Sequence, residues 1–295
     1  MGNRLYYKGK EMLQLGCCSQ NFRGLNLDEC VRLTTGMGFK YVNIGAFGED
    51  FPVPPLKILA DPVKTGREIR EVCANYGAVP VEFFICSVVI GDGSRVQPND
   101  PEESRRRAML EAFRKVCECG VEAGLSHIMG VPGELAANNA PDHGMSISLD
   151  TLPKMQEIAK EAGIGFTIEP HTGSLLTSPD AVLVMLRKLP GLTLSLDYSH
   201  FIGAGFKPED LIALHAFAQH IHAKPARNTV PKCLFYDGDD YYEVLLKDLL
   251  DRHWEGIIAM ECMYPVPAPG LLEHPAFQSL LLAGHIEKIL RKLRA

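Results

Sequence analysis

Residues 163–200 read GIGFTIEPHTGSLLTSPDAVLVMLRKLPGLTLSLDYSH. A short apolar run, Gly165–Glu169, ends in an acid. Ser178-Pro179-Asp180 then puts proline in a helical first turn with an acid beside it, where the helix dipole favours negative charge. An amphipathic stretch leads to Gly191, the residue expected where a helix stops. A second apolar run, Thr193–Asp197, again closes on an acid. Strand, helix, strand in this spacing is a parallel βαβ unit.

Working outward, the same alternation fills the chain. Candidate strands are Leu13–Cys18, Tyr41–Ile44, Pro80–Cys86, Ser126–Val131, Gly165–Glu169, Thr193–Asp197, His220–Lys224 and Ile257–Glu261. Helical patterns lie between them. Asn26 and Glu29 read as a capping box, and Asp61-Pro62, Asp100-Pro101-Glu102-Glu103 and Lys207-Pro208-Glu209-Asp210 read as helix starts. Gly38, Gly77, Gly124, Gly163, Gly191 and Gly256 read as helix stops. Eight such units in 295 residues predict a single-domain (β/α)8 TIM barrel spanning residues 1–295. The rival, an open doubly wound sheet, wants a glycine-rich phosphate loop; Gly91-Asp92-Gly93-Ser94 lacks the third glycine and the following helix. Pro132–Leu149 reads as a long loop after the fourth strand, placed to cover a ligand. Residues 270–295 read as an amphipathic helix that closes the barrel or meets a partner subunit.

Composition narrows the function. Hydrophobic residues are 46% and charged residues 22%, the balance of an ordinary globular chain. The net charge of −6 argues against nucleic acid as partner, which usually demands a basic excess. No run reaches membrane-spanning length and no signal-peptide pattern opens the sequence. Nine cysteines without a framework read as reduced thiols, so a cytoplasmic protein is expected. Cys117-Glu118-Cys119 lies in a helical pattern, where positions i and i+2 diverge, and is not a metal motif.

A barrel of this kind carries its chemistry at the C-terminal ends of its strands. Strands five, six and eight end in Glu169, Asp197 and Glu261, and strand seven, His220–Lys224, carries His222 near its exit. A charged group closing an apolar strand is costly to desolvate without compensation. One divalent cation would compensate all four. Three carboxylates and one imidazole suit Mn²⁺ best, with Mg²⁺, Co²⁺ or Zn²⁺ as alternatives. His220 and His222 share a face of their strand, and His222 lies nearer the exit. Lys224 and Arg227 follow, placed to grip substrate oxygens. Phe201 and Phe206 are candidates for stacking on a sugar ring, whereas Trp254 sits before the last strand and packs in the core. Glu82, in the third strand, reads as structural.

The set Glu169, Asp197 with His200 three residues on, His222 in a His-x-His-x-Lys strand, and Glu261 resembles the xylose isomerase-like barrel superfamily of sugar isomerases and epimerases. The resemblance covers nearly the whole chain. Carried over from its ketose 3-epimerases, it implies Glu169, Asp197, His222 and Glu261 as metal ligands. Glu169 and Glu261 would also move protons, and His200 and Arg227 would contact substrate hydroxyls. The epimerases carry a second glutamate shortly after the first; here His171 and Ser174 occupy that run. The implied activity is isomerisation or epimerisation of a small sugar or keto sugar through a metal-stabilised enediolate. Elimination or glycoside cleavage on a 3-keto sugar uses the same site, and a non-catalytic sugar-binding subunit is a further alternative. The superfamily's abasic-site endonucleases need histidines ending strands two and three; Asn43-Ile44-Gly45 and Ile85-Cys86-Ser87 stand there. A homodimer or homotetramer is expected from the resemblance.

Overall fold

Among the described residues ten strands form: the eight expected from the apolar runs, and two short ones not expected from the sequence. They are β1 Leu13–Cys18, β2 Tyr41–Gly45, β3 Val79–Cys86, β4 Val88–Val89, β5 Arg95–Val96, β6 His127–Gly130, β7 Gly165–Ile168, β8 Thr193–Asp197, β9 Ala218–Ala223 and β10 Gly256–Met260. In this computed structural model, which describes residues 13–135, 141–263, 270 and 273–295, eight of them close a barrel in the order β1-β10-β9-β8-β7-β6-β3-β2. Every barrel pairing is parallel. The remaining two, β4 and β5, form a small antiparallel hairpin at the exit of β3. The chain is therefore the predicted single-domain TIM barrel.

The helices are α1 Leu27–Gly36, α2 Pro55–Ala60, α3 Pro62–Asn75, α4 Glu103–Ala123, α5 Pro141–Ala162, α6 Pro179–Lys188, α7 Tyr198–Ile202, α8 Tyr242–Asp251 and α9 Pro275–Arg294. Several start signals act as read. Asn26 and Glu29 make a reciprocal capping box, the Asp61 side chain accepts from the Lys64 amide, and Ser178 accepts from Ala181. Gly38, Gly77, Gly124, Gly163 and Gly191 all take the left-handed conformation expected of helix stops.

Three local expectations are corrected. Gly256 is not a helix stop: it is the first residue of β10, and a Cβ there would lie 2.4 Å from the Trp254 ring. His253 takes the left-handed turn instead, at φ 53°. The segment after Lys207 is a 3-10 helix, Pro208–Phe217, rather than an α-helix. The second half of the expected loop Pro132–Leu149 is helical, because α5 begins at Pro141; residues 136–140 lie outside the described part. Proline fits the first turn there, and burial of Gly144 and Ser148 overrides their weak helix propensity. Ser148 Oγ donates to the Pro132 carbonyl at 2.7 Å and so ties the helix to the exit of β6.

The apolar core fills the space between the barrel wall and its helices. Leu282, Ile286, Ile289 and Leu290 of α9 are buried in it. All nine cysteines are free thiols. Among the described residues no helix is long and apolar enough to cross a membrane. Packing of α3 on α4 turns on Gly66, whose added Cβ would meet the Cys119 carbonyl oxygen and Glu122 Cβ, each at 2.5 Å. Gly66→Ala is therefore expected to lose about 1–3 kcal/mol despite alanine's better helix propensity. Urea unfolding measures it, and a stabilised variant would contradict the close approach.

Candidate metal centre and active site

Parallel strands leave their last side chains at one end of the barrel, and the four strand-end residues meet there. Asp197 is the last residue of β8, His222 lies near the end of β9, and Glu169 and Glu261 directly follow β7 and β10. Asp197 and His222 are paired in register. One ligand atom from each of Glu169, Asp197, His222 and Glu261 lies within 4.8 Å of the others, and all four residues are buried. His222 Nδ1 is 2.8 Å from Glu169 Oε1 and 3.7 Å from Glu261 Oε2. Asp197 Oδ1 accepts from the Ser199 amide at 2.8 Å, which starts α7.

Lys224 enters the cluster with its charge. Its ammonium makes an ion pair with Asp197 Oδ2 at 2.7 Å and donates to Glu261 Oε2 at 3.0 Å. His200 is also buried; its Nδ1 meets Thr172 Oγ1 at 2.9 Å, and its Nε2 lies 3.5 Å from Asp197 Oδ2 and 3.5 Å from Lys224 Nζ. The His171 ring packs on the His200 ring at 4.1 Å. Arg227 stands apart from these: it is exposed, on the turn where its backbone pairs with Val230.

The electrostatics follow from burial and charge. Burial opposes the charge on Lys224, but Asp197, Glu261 and Glu169 outweigh it and hold the ammonium well above its usual range. Burial likewise opposes ionisation of Asp197, and Lys224 and His200 reverse this, so the carboxyl sits below its usual range. Glu261 is raised: burial and the neighbouring Glu169 and Asp197 outweigh Lys224 and His222. His200 is pushed well down by burial and by Lys224. His222 is held well up, because Glu82, Glu169 and Glu261 overcome its burial. The cluster is an excess of buried negative charge, with the His222 imidazolium and Lys224 as its compensating cations.

The donor set fits a divalent cation. Three carboxylates and an imidazole converge, and Glu169 Oε2 is buried without a hydrogen-bond partner. A buried orphan carboxylate oxygen at the centre of such a cluster is the coordination position a cation would fill.

Residues beyond the expected set also reach the site. Glu82 on β3 is not merely a wall residue: its Oε1 lies 2.6 Å from His222 Nε2. Phe84 on the same strand packs against the His222 ring at 5.6 Å, and Phe47 and Phe51 stack behind it. Phe201, expected to stack on a sugar, is instead a fully buried core residue, and Phe206 packs against that core. Phe201 opens inward because α7 follows Asp197 without a gap and turns its apolar face under the 3-10 helix. Trp254 packs as read, its indole donating to the Ala218 carbonyl at the opposite end of the barrel. At the exit of β1, Gln20 is buried with both amide atoms unpartnered.

The acids and the histidine gather at the strand-exit end, where (β/α)8 barrels carry their functional sites. The family model for xylose isomerase-like TIM barrels matches residues 31–278, and the chain belongs to that family. No curated protein matches the sequence. Among solved structures, the chain is similar to a D-tagatose 3-epimerase-like protein, with TM-score 0.75 and 18% identity over 96% of this chain and 100% of that one. It is similar to an L-ribulose 3-epimerase, with TM-score 0.74 and 13% identity over 96% and 97%. It is also similar to the IOLI protein solved with a bound zinc atom, with TM-score 0.70 and 15% identity over 95% and 97%. At these identities the likeness is one of fold.

Proposed function

We propose that this chain is a divalent-metal-dependent isomerase or epimerase of a small sugar or keto sugar. The convergence of Glu169, Asp197, His222 and Glu261 within 4.8 Å carries the reading. These four would hold one metal ion, Mn²⁺ best matching the oxygen-rich set, with Mg²⁺, Co²⁺ or Zn²⁺ as substitutes. The bound ion would supply positive charge beside the substrate's carbonyl and adjacent hydroxyl oxygens. Glu169 and Glu261 come from strands separated by β8 and β9, so their carboxylates approach a substrate from different sides. One takes the proton from the carbon next to the carbonyl; the C–H pair becomes the new C=C bond and the carbonyl π pair moves onto its oxygen, giving an enediolate. The other returns a proton on the opposite face, which inverts the centre. Return to the neighbouring carbon gives aldose–ketose isomerisation instead.

Lys224, already between two carboxylates, positions Asp197 and Glu261 and offers charge to a substrate oxygen. His200 and His171, stacked at the rim, would contact hydroxyls, and Arg227 would reach them from its exposed turn. A cytoplasmic homodimer or homotetramer belongs to the same reading. The test is exchange of carbon-bound substrate protons with deuterated water, followed by NMR over a panel of ketoses and 3-keto sugars. Exchange is expected with Mn²⁺ present and is lost on chelation. A panel with no exchange from metal-loaded protein would count against the reading.

A further inference from the structure

A strand interior of a barrel has no water to satisfy a carboxylate, so a buried glutamate there must be matched by protein donors. Glu82 is fully buried and is matched four times over. Its Oε1 accepts from His222 Nε2 at 2.6 Å and from Asn43 Nδ2 at 3.0 Å. Its Oε2 accepts from His127 Nε2 at 3.1 Å and from the Ser195 hydroxyl. The donors come from β9, β2, β6 and β8, so four strands fix the carboxylate from around the barrel.

Of these donors His222 belongs to the strand-exit cluster, and Asn43 Nδ2 lies 3.3 Å from its Nε2, farther than Glu82 Oε1 at 2.6 Å. The His222 ring has two nitrogens; Glu82 takes Nε2, and the other, Nδ1, faces Glu169 at 2.8 Å and Glu261 at 3.7 Å. We propose that Glu82 is a positioning residue that holds the proton of His222 on Nε2 and aims the Nδ1 lone pair at the metal position. The inference rests on the metal-site reading above. A metal-ligating histidine needs its second nitrogen engaged by an acceptor, and loss of that acceptor typically costs about 10–100-fold in metal affinity. A structural plug makes no such demand, since apolar residues of similar volume replace buried ionic groups at little cost.

The experiment is Mn²⁺ titration of metal-stripped protein, reading free Mn²⁺ by electron paramagnetic resonance, for wild type, Glu82→Gln, Glu82→Met and His222→Ala. Glu82→Gln keeps shape and an acceptor oxygen but removes the charge, and is expected to bind about 10-fold more weakly; Glu82→Met, with no acceptor, about 100-fold more weakly. Circular dichroism confirms the fold in each. Nitrogen-15 NMR of histidine in the Mg²⁺-loaded protein gives an independent reading: His222 carries its proton on Nε2 in wild type, and Glu82→Gln shifts the tautomer balance. A folded Glu82→Gln protein binding Mn²⁺ within about threefold of wild type would overturn the proposal, and this holds even if Glu82→Met fails to fold. If wild type binds Mn²⁺ and His222→Ala abolishes binding, such a result removes Glu82's role alone. If wild type binds no Mn²⁺, the metal reading falls and takes this inference with it.

Discussion

Glu169→Gln and Glu261→Gln are each expected to lower solvent exchange of the substrate's carbon-bound proton by about 10²–10⁴-fold, the usual contribution of a positioned acid or base. Both side chains are buried at strand exits, and glutamine keeps their volume, so the barrel is expected to persist. The two variants should differ in kind. Inversion at one carbon removes the proton from one face and returns it on the other, so each glutamate serves as base for only one of the two epimers. Glu169→Gln should stop exchange from one epimer more severely, and Glu261→Gln from the other. Parallel Mn²⁺ titrations separate this asymmetry from simple metal loss, which would depress both epimers equally. Full exchange in both variants would contradict the two-carboxylate scheme.

The electrostatic surroundings of Glu261 and Asp197 differ in sign. The Glu261 carboxyl is raised by burial and by Glu169 and Asp197, whereas Asp197 is held low by Lys224 and His200. The two carboxyls of one cluster thus have their ionisation pushed in opposite directions by their neighbours.

What the sequence made legible follows from geometry. The convergence of Glu169, Asp197, His222 and Glu261 was legible because each lies at or next to the end of an apolar strand, and strand ends in a parallel barrel converge whatever the intervening helices do. Eight strands were legible for the same reason, and their observed bounds differ by at most a residue or two from those read. Glu82 was harder. Strands of a parallel barrel are apolar on both faces, so the pattern VPVEFFIC does not say whether position 82 points to the barrel axis or to the helices. Register resolves it, because Glu82 pairs with His127, and both then meet inside the barrel. The Phe47–Phe51–Phe84 ring contacts were hidden likewise, since aromatic side chains on loops and strands carry no sign of which rings they will meet. Gly256 and Phe201 misled because glycine and aromatic residues serve turns, strands and cores alike, and only the packed neighbours Trp254 and Phe206 distinguish these uses.

Lys224→Met should destabilise the metal-free protein by about 3–5 kcal/mol, the usual cost of removing one partner from a buried ion pair. Lys224 is only 6% exposed and lies between Asp197 and Glu261, so methionine fills its space but leaves two buried carboxylates facing each other without their cation. For a chain of this size such a loss corresponds to a fall in Tm of roughly 5–8 °C. A divalent ion binds the folded state and stabilises it in proportion to its occupancy. It also supplies the charge that Lys224 lost. Added Mn²⁺ should therefore raise the Tm of Lys224→Met more than that of wild type. Both Tm values are read by calorimetry with and without Mn²⁺. A metal-free variant melting within about 2 °C of wild type would show that the ammonium does not hold the carboxylates together. A Mn²⁺ shift no larger than wild type's would show that the metal and Lys224 do not answer the same excess charge.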